Sequence, residues 1–186
     1  DLATAYNNIG NVYNSMGEYS KTLEYYEKSL ETYKKTLPAN HPLLATSYNN
    51  IGLVYYNMGE YSKALQYYEK SLEIYKKTLP ANHSLLATSY NNIGSVYYNM
   101  GEYSKTLEYY EKSLEIRKKT LPADHPDLAQ SYNNIGLVYC SMGKYSNAIE
   151  YLERALDICQ RSLPPNHPNI IDVKESIETV KRKLKV

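Results

Sequence analysis

The chain has 186 residues, of which 42% are hydrophobic and 22% charged, and its 21 lysines and arginines nearly balance its 20 aspartates and glutamates. This composition excludes a disordered chain, and a net charge of +1 argues against a nucleic-acid partner, which calls for a basic surplus. No apolar stretch approaches the roughly 18 residues of a membrane span, so we expect no membrane partner. Two cysteines cannot make a disulfide framework, which favours a reducing, cytoplasmic location.

One sequence unit recurs every 42 residues. The four histidines and the four methionines keep this step, and the eight glycines form two series that also keep it: Gly10, Gly52, Gly94 and Gly136, then Gly17, Gly59, Gly101 and Gly143. We therefore predict one domain over residues 1–186 with repeats 2–43, 44–85, 86–127 and 128–169. Copies this similar indicate a recent duplication or a consensus-like designed sequence. Such units cannot bury their apolar stripes alone, so they must stack.

Each repeat predicts a pair of helices. In the first half of the first repeat, apolar residues recur at steps of four and three: Leu2, Tyr6, Ile9, Tyr13 and Met16. Gly17 supplies the positive φ that ends this helix, while Gly10 lies inside it, where we expect the second helix to approach closely. The second helix has its own apolar stripe: Tyr19, Leu23, Tyr26, Leu30, Tyr33 and Leu37. It ends before Pro42, which suits the first position of the next helix.

The last segment, residues 168–186, predicts a C-terminal capping helix. Its apolar residues lie on one face: Ile170, Val173, Ile177, Val180 and Leu184. Glu178 and Lys185 replace the two glycines of the repeat, so the opposite face would meet water. The chain begins inside a helix and without methionine, which indicates a fragment. Its uncapped N-terminal repeat offers a surface for self-association.

The helical pair resembles the tetratricopeptide repeat. The residues that carry the resemblance on the first helix and the following turn are Tyr6, Ile9, Gly10, Tyr13, Gly17 and Tyr19, and those on the second helix are Thr22, Tyr26 and Ser29. The 42-residue step, the His-Pro linker and the Tyr-Asn-Asn-Ile-Gly string are similar to the kinesin light chain variety of the repeat. The resemblance implies an all-α, right-handed α-solenoid of stacked helix-turn-helix repeats.

The resemblance also implies that the first helices line a concave groove. In peptide-binding members of the family, an asparagine at the position of Asn8, Asn50, Asn92 and Asn134 holds the backbone of an extended peptide. A carboxamide both donates and accepts hydrogen bonds, which suits that role, and tyrosines would add contact area. The candidate groove residues are Asn7, Asn8, Asn11, Asn49, Asn50, Tyr56, Asn91, Asn92, Tyr98, Asn133 and Asn134. The alternative is that the carboxamides are solvated or bond neighbouring helices to one another.

Other functional sites are not indicated by the sequence. Family members that grip a C-terminal carboxylate use lysine and arginine where Thr88 and Asn92 stand here, so no such clamp is expected. The four histidines lie one per linker, 42 residues apart, so the sequence predicts that they contact the starts of the helices that follow. Because no cysteine or histidine pair has ligand spacing, no metal or other cofactor is expected. Cys140 and Cys159 replace tyrosines of other repeats and are predicted to be free thiols.

No nucleophile–base pair and no phosphate-binding loop occurs, so we expect no enzyme. Three functional classes stay open at this point. The first is a protein-interaction scaffold that binds an extended peptide, as kinesin light chains hold cargo or adaptors. The second is a structural spacer or self-associating repeat array, and the third is a regulatory arm of a larger protein.

Overall fold

The computed structural model describes residues 1–184, and within them the chain forms nine α-helices and no β-strand. The helices are α1 Leu2–Ser15, α2 Tyr19–Thr36, α3 Pro42–Asn57, α4 Tyr61–Thr78, α5 Ser84–Asn99, α6 Tyr103–Thr120, α7 Pro126–Ser141, α8 Tyr145–Ser162 and α9 Pro168–Leu184. The prediction of an all-α fold is confirmed. The chain divides into two compact units, Asp1–Ala81 with α1 to α4 and Asn82–Val186 with α5 to α9. The organisation into one domain with four repeats stays a prediction, and Lys185 lies outside the described residues.

The four histidines begin helices. The Nδ1 atom of His41 accepts a hydrogen bond from the backbone N–H of Leu43 at 3.2 Å. Pro42 stands in the first turn of α3, where its missing N–H leaves no hydrogen bond unmade. The same imidazole contact recurs at His83, His125 and His167. The prediction that these histidines are helix-start contacts is therefore confirmed.

Each glycine series has its own physical reason. Gly17, Gly59, Gly101 and Gly143 have φ angles between 73° and 76° and follow the ends of α1, α3, α5 and α7. Gly52 lies inside α3, where an added Cβ atom would stand 2.9 Å from Cδ1 of Tyr68 on α4. The same close approach recurs at the three other glycines of this series, where an added Cβ atom would meet Tyr26 (at Gly10), Tyr110 (at Gly94) and Leu152 (at Gly136). The predicted close approach of the second helix is confirmed.

The core of the first unit lies between paired helices. Ile51 of α3 and Ala64 and Tyr68 of α4 are at most 2% exposed. The hydroxyl of Ser29 on α2 donates a 2.8 Å hydrogen bond to the carbonyl of Ala3 on α1. Burial of each large apolar side chain of this kind stabilises the fold by roughly 1.5–3 kcal/mol, so the apolar stripes hold each hairpin together.

The core of the second unit continues from α5 to α9. Fully buried residues of α5 and α7 are Ile93, Val96, Ile135 and Val138. Helix α9 contacts α8 and buries one face, which consists of Ile170, Val173, Ile177 and Val180. Its opposite face exposes Lys174 and Glu178 to solvent. This one-sided burial is what a capping helix requires.

Candidate functional site

The predicted groove residues of the first unit lie on α1 and α3. Asn8 and Asn11 of α1 are exposed, while Asn7 of α1 and Asn49 and Asn50 of α3 are half-buried. Asn50 makes no hydrogen bond with any described residue, in contrast to Asn49. Its carboxamide therefore keeps both donors and its acceptor for solvent or a ligand.

The predicted groove residues of the second unit are brought together on α5 and α7. The four asparagines are half-buried: Asn91, Asn92, Asn133 and Asn134. The Nδ2 atom of Asn134 donates to Oδ1 of Asn91 at 3.5 Å, which links the two first helices. For this pair the structure agrees with the alternative stated above, that carboxamides bond neighbouring helices. Oδ1 of Asn133 is buried and has no hydrogen-bond partner.

Asn11 differs from the other candidates because its amide oxygen is already used. The hydroxyl of Tyr26 on α2 donates to Oδ1 of Asn11 at 2.6 Å. At the same repeat position of α5, the hydroxyls of Ser95 and Tyr110 are 3.0 Å apart. The sequence predicted Asn11 as a groove residue. In the structure its Oδ1 accepts a hydrogen bond from a core tyrosine, and its Nδ2 group can still donate to other partners.

The two predicted groove tyrosines are each packed against another tyrosine. The ring of Tyr56 lies 5.8 Å from that of Tyr61, and the ring of Tyr98 lies 5.7 Å from that of Tyr103. The hydroxyls of Tyr98 and Ser141 are 3.0 Å apart, which adds a contact between α5 and α7. These contacts fix the rings, and a fixed aromatic surface loses little conformational entropy on binding a partner.

A pocket of about 570 Å³ opens between α7, α8 and α9 of the second unit. Gln130, Asn133 and Asn134 of α7 line it together with Asp172 of α9. Cys159 of α8 also lines it and is 4% exposed. Burial raises the pKa of the Cys159 thiol, so the thiol stays neutral and adds no charge to the pocket.

The pocket was not predicted from the sequence. Cys159 occupies the repeat position that carries Tyr33 on α2 and Tyr75 on α4. The Tyr33 hydroxyl lies 3.2 Å from that of Thr4, and the Tyr75 hydroxyl lies 3.1 Å from that of Thr46. The exchange of a tyrosine for a cysteine was visible in the sequence, and the loss of side-chain volume was the signal that could have predicted a cavity.

Charged side chains gather on the second helices, away from the candidate residues. Exposed ion pairs include Lys28 with Glu24 at 2.6 Å and Lys35 with Glu31 at 2.7 Å. The ammonium of Lys28 also lies 5.0 Å from the Tyr25 ring centroid. Exposed pairs of this kind contribute little to stability, and they mark this side of each hairpin as a solvated surface.

The described part of the chain offers neither a metal-binding cluster nor a membrane-spanning helix. No group of three or more histidine, cysteine, aspartate or glutamate side chains there could hold a metal ion. None of the helices within residues 1–184 combines the length and the apolar composition that crossing a membrane would require. Cys140 and Cys159 are both free thiols, as predicted.

Comparisons with known proteins agree with this architecture. A family model described as tetratricopeptide repeat matches residues 1–77 and 85–173. Nearly identical TPR-like repeats from Podosopora anserina, assigned to a kinesin light chain, have 22% identity, a TM-score of 0.85 and coverage of 98% of this chain and 86% of that chain. BtubC from P. vanneervenii has 25% identity, a TM-score of 0.79 and coverage of 89% and 67%.

The apo form of RapI has 21% identity and a TM-score of 0.85, with coverage of 98% of this chain and 64% of that chain. No curated protein matches the chain. The structural likenesses show the fold, an all-α solenoid of helical hairpins, and the predicted fold class is confirmed.

Proposed function

The chain belongs to the tetratricopeptide repeat family, and on that premise we propose that it is a non-enzymatic protein-interaction scaffold that binds an extended peptide along its first helices. The family is typically a protein–protein interaction scaffold, so the finer proposal concerns the form of the partner and the residues that hold it. By analogy with the kinesin light chain likeness, the peptide would be a cargo or adaptor segment in the cytoplasm, where free thiols persist.

The observation that carries the proposal is the availability of Asn50. Asparagine is a poor helix former, yet every first helix carries two in succession. A carboxamide with no partner in the described residues and with access to solvent has both donors and an acceptor to offer, and an extended peptide backbone presents the matching groups. Asn8 at the same repeat position of α1 is exposed and also has no partner among the described residues, so it repeats this offer and the surface suits a chain rather than a compact ligand.

The side chains around the asparagines set the character of the partner. Tyr56 and Tyr98 offer fixed rings on which apolar or aromatic side chains of a peptide pack. None of the candidate residues is charged. Binding to them should therefore depend weakly on salt concentration.

A peptide-display screen with an unbiased library tests the proposal. We expect enrichment of peptides that share a defined linear motif. The Asn50→Ala variant should bind these peptides more weakly than the parent chain. Ser62 on α4 is exposed, and Ser62→Ala provides a control outside the first helices. A screen that enriches no motif contradicts peptide binding.

A self-associating array is the second candidate, favoured by the exposed apolar side chains of α1. Leu2 is 59% exposed and Val12 is 58% exposed. Their repeat equivalents on α3, Leu44 and Val54, are 2% and 1% exposed. Light scattering across a wide range of protein concentration tests this candidate: an array predicts rising mass, which Val12→Lys should abolish. A mass that stays monomeric contradicts it. The regulatory-arm class stays a prediction.

A further inference from the structure

The pocket between α7, α8 and α9 is bordered on α8 by a small side chain. This side chain is Cys159, whereas the equivalent positions of α2 and α4 carry Tyr33 and Tyr75. A thiol fills much less space than a phenol ring, and a cavity of about 570 Å³ remains beside it. The cavity reaches the surface among the carboxamides of α7, so a peptide on that helix would meet it.

The polar groups of the pocket suit a cation. Asp127 of α7 and Asp172 of α9 line it, and the described lining residues include no lysine, arginine or histidine. Asp172 forms no ion pair with a described residue. Oδ1 of Asn133 is a buried acceptor without a donor, which is an unfavourable state that an incoming N–H group would relieve.

The apolar part of the lining suits the stem of a long side chain. Ala129 and Leu137 of α7 and Val173 of α9 contribute methyl groups to the walls. Lysine and arginine place their methylene chains along such surfaces and carry their charge to a polar end. A metal ion or a small ammonium ion would leave these walls unused.

The preceding repeat shows that this fold holds a guanidinium at the equivalent place. Arg117 of α6 occupies the repeat position of Cys159. Its Nη1 atom donates to Oγ of Ser131 at 2.7 Å and to the carbonyl of Asp127 at 3.2 Å. The α8 position supplies no such group of its own. The carboxylate of Asp127 lies 4.0 Å from Nδ1 of His125, whereas the carboxylate of Asp172 has no cationic neighbour among the described residues.

We propose that this pocket receives a lysine or arginine side chain of the bound peptide, with Asp172 as counter-charge and Oδ1 of Asn133 as an acceptor. The inference rests on the proposed function, because it assigns one side chain of the peptide to one subsite on α7 and α9. It also adds a charge preference that the uncharged candidate residues do not provide.

The probe for this subsite is N-acetyl-arginine methylamide, and its matched control is the citrulline counterpart, which has nearly the same shape without the charge. Both are titrated into the isotope-labelled full chain while the side-chain amide signals of Asn133 and Gln130 are followed by NMR. The arginine probe should shift these signals, and the citrulline probe should not. Equal shifts with both probes would overturn the proposal.

Two variants locate the binding. Asp172→Asn removes the counter-charge from an exposed position and should weaken the arginine probe by about tenfold. Cys159→Tyr restores the tyrosine of the first two repeats, places a phenol ring in the pocket beside Asn133 and Asp172, and should weaken the shifts strongly. Cys140→Tyr is the matched control, since it restores the tyrosine found at Tyr56 and Tyr98 but lies outside the pocket lining. Unchanged binding by Cys159→Tyr or Asp172→Asn would overturn the proposal.

Failure of this inference differs from failure of the proposed function. A display screen that yields a motif without lysine or arginine, together with a silent arginine probe, rejects the subsite and retains peptide binding. A probe that binds in the pocket of a chain that enriches no motif supports the subsite and rejects peptide binding.

Discussion

The hydroxyl of Tyr26 donates a 2.6 Å hydrogen bond to the amide oxygen of Asn11 on the neighbouring helix. One repeat later, Leu53 stands in the place of Asn11, and the hydroxyl of Tyr68 has no hydrogen-bond partner among the described residues. The same two positions therefore join a polar pair in one hairpin and leave a phenol unpaired in the next. Tyr68 is 2% exposed, so its hydroxyl has little access to water.

This difference predicts opposite results for the same substitution. Tyr26→Phe removes a made hydrogen bond and leaves the Asn11 oxygen without it, so it should lower the free energy of unfolding by about 1 kcal/mol. Tyr68→Phe removes an unpaired hydroxyl and should be neutral or stabilising. Urea denaturation of both variants measures the two effects, and equal losses would contradict the assignment.

Stability should fall at alkaline pH because of the buried tyrosines. Burial raises the pKa of Tyr68 above its ordinary value near 10, and burial also raises the pKa of Tyr26. Above a pH of about 10 the unfolded chain loses these protons while the folded chain keeps them, so unfolding is favoured as pH rises.

Melting temperatures measured on either side of that pH test this expectation. The parent chain should lose stability as the pH rises, and Tyr68→Phe should show a smaller loss because it removes one of the shifted groups. A variant that loses as much stability as the parent would show that Tyr68 does not contribute.

The two glycine series should respond differently to alanine. Gly52→Ala would place a Cβ atom 2.9 Å from Cδ1 of Tyr68 and 3.3 Å from the carbonyl oxygen of Ala64, and this overpacking should cost about 1–3 kcal/mol. Gly59→Ala meets no atom within 4 Å but must adopt a φ of 76°, at a cost of about 1–2 kcal/mol.

A double-mutant cycle separates these causes. The Gly52→Ala cost should shrink when Tyr68→Ala is also present, whereas the Gly59→Ala cost should not change. If both glycine substitutions couple equally to Tyr68, close packing is not what distinguishes the first series.

Shortening a side chain on the buried face of α9 should lower stability, whereas shortening one on its exposed face should not. Ile177 is 5% exposed, and Ile177→Ala should lower the free energy of unfolding by about 2–4 kcal/mol. Thr179 is exposed, and Thr179→Ala should change it by less than about 0.5 kcal/mol. Urea denaturation gives both values, and similar costs for the two would show that α9 is not packed on one side.

Local signals made most of the fold predictable from the sequence. Two of these signals are the glycine that ends each first helix and the histidine that begins a later one. Each acts within four residues of chain, and the structure contains both as expected. The resemblance then indicated how the hairpins stack.

The parts of the site that sequence analysis missed depend on contacts between helices. In the hydrogen bond from Tyr26 to Asn11, the tyrosine belongs to the apolar stripe of α2 and the asparagine lies outside the apolar stripe of α1. Helical periodicity alone therefore could not show whether Asn11 bonds the tyrosine or only meets solvent. The pocket beside Cys159 is lined by residues of three helices that are far apart in the sequence. Both required the positions of side chains on two or three packed helices.

The most direct test of peptide binding along the first helices replaces Asn8 and Asn50 together with alanine, because neither side chain has a partner among the described residues. The measurement is the affinity for a display-selected peptide, by fluorescence anisotropy, alongside the melting temperature of the free chain. Loss of two backbone-pairing carboxamides should weaken binding about tenfold or more and barely change the melting temperature. A double variant that melts earlier but binds the peptide as before would contradict the proposal, because the asparagines would then be tying helices together.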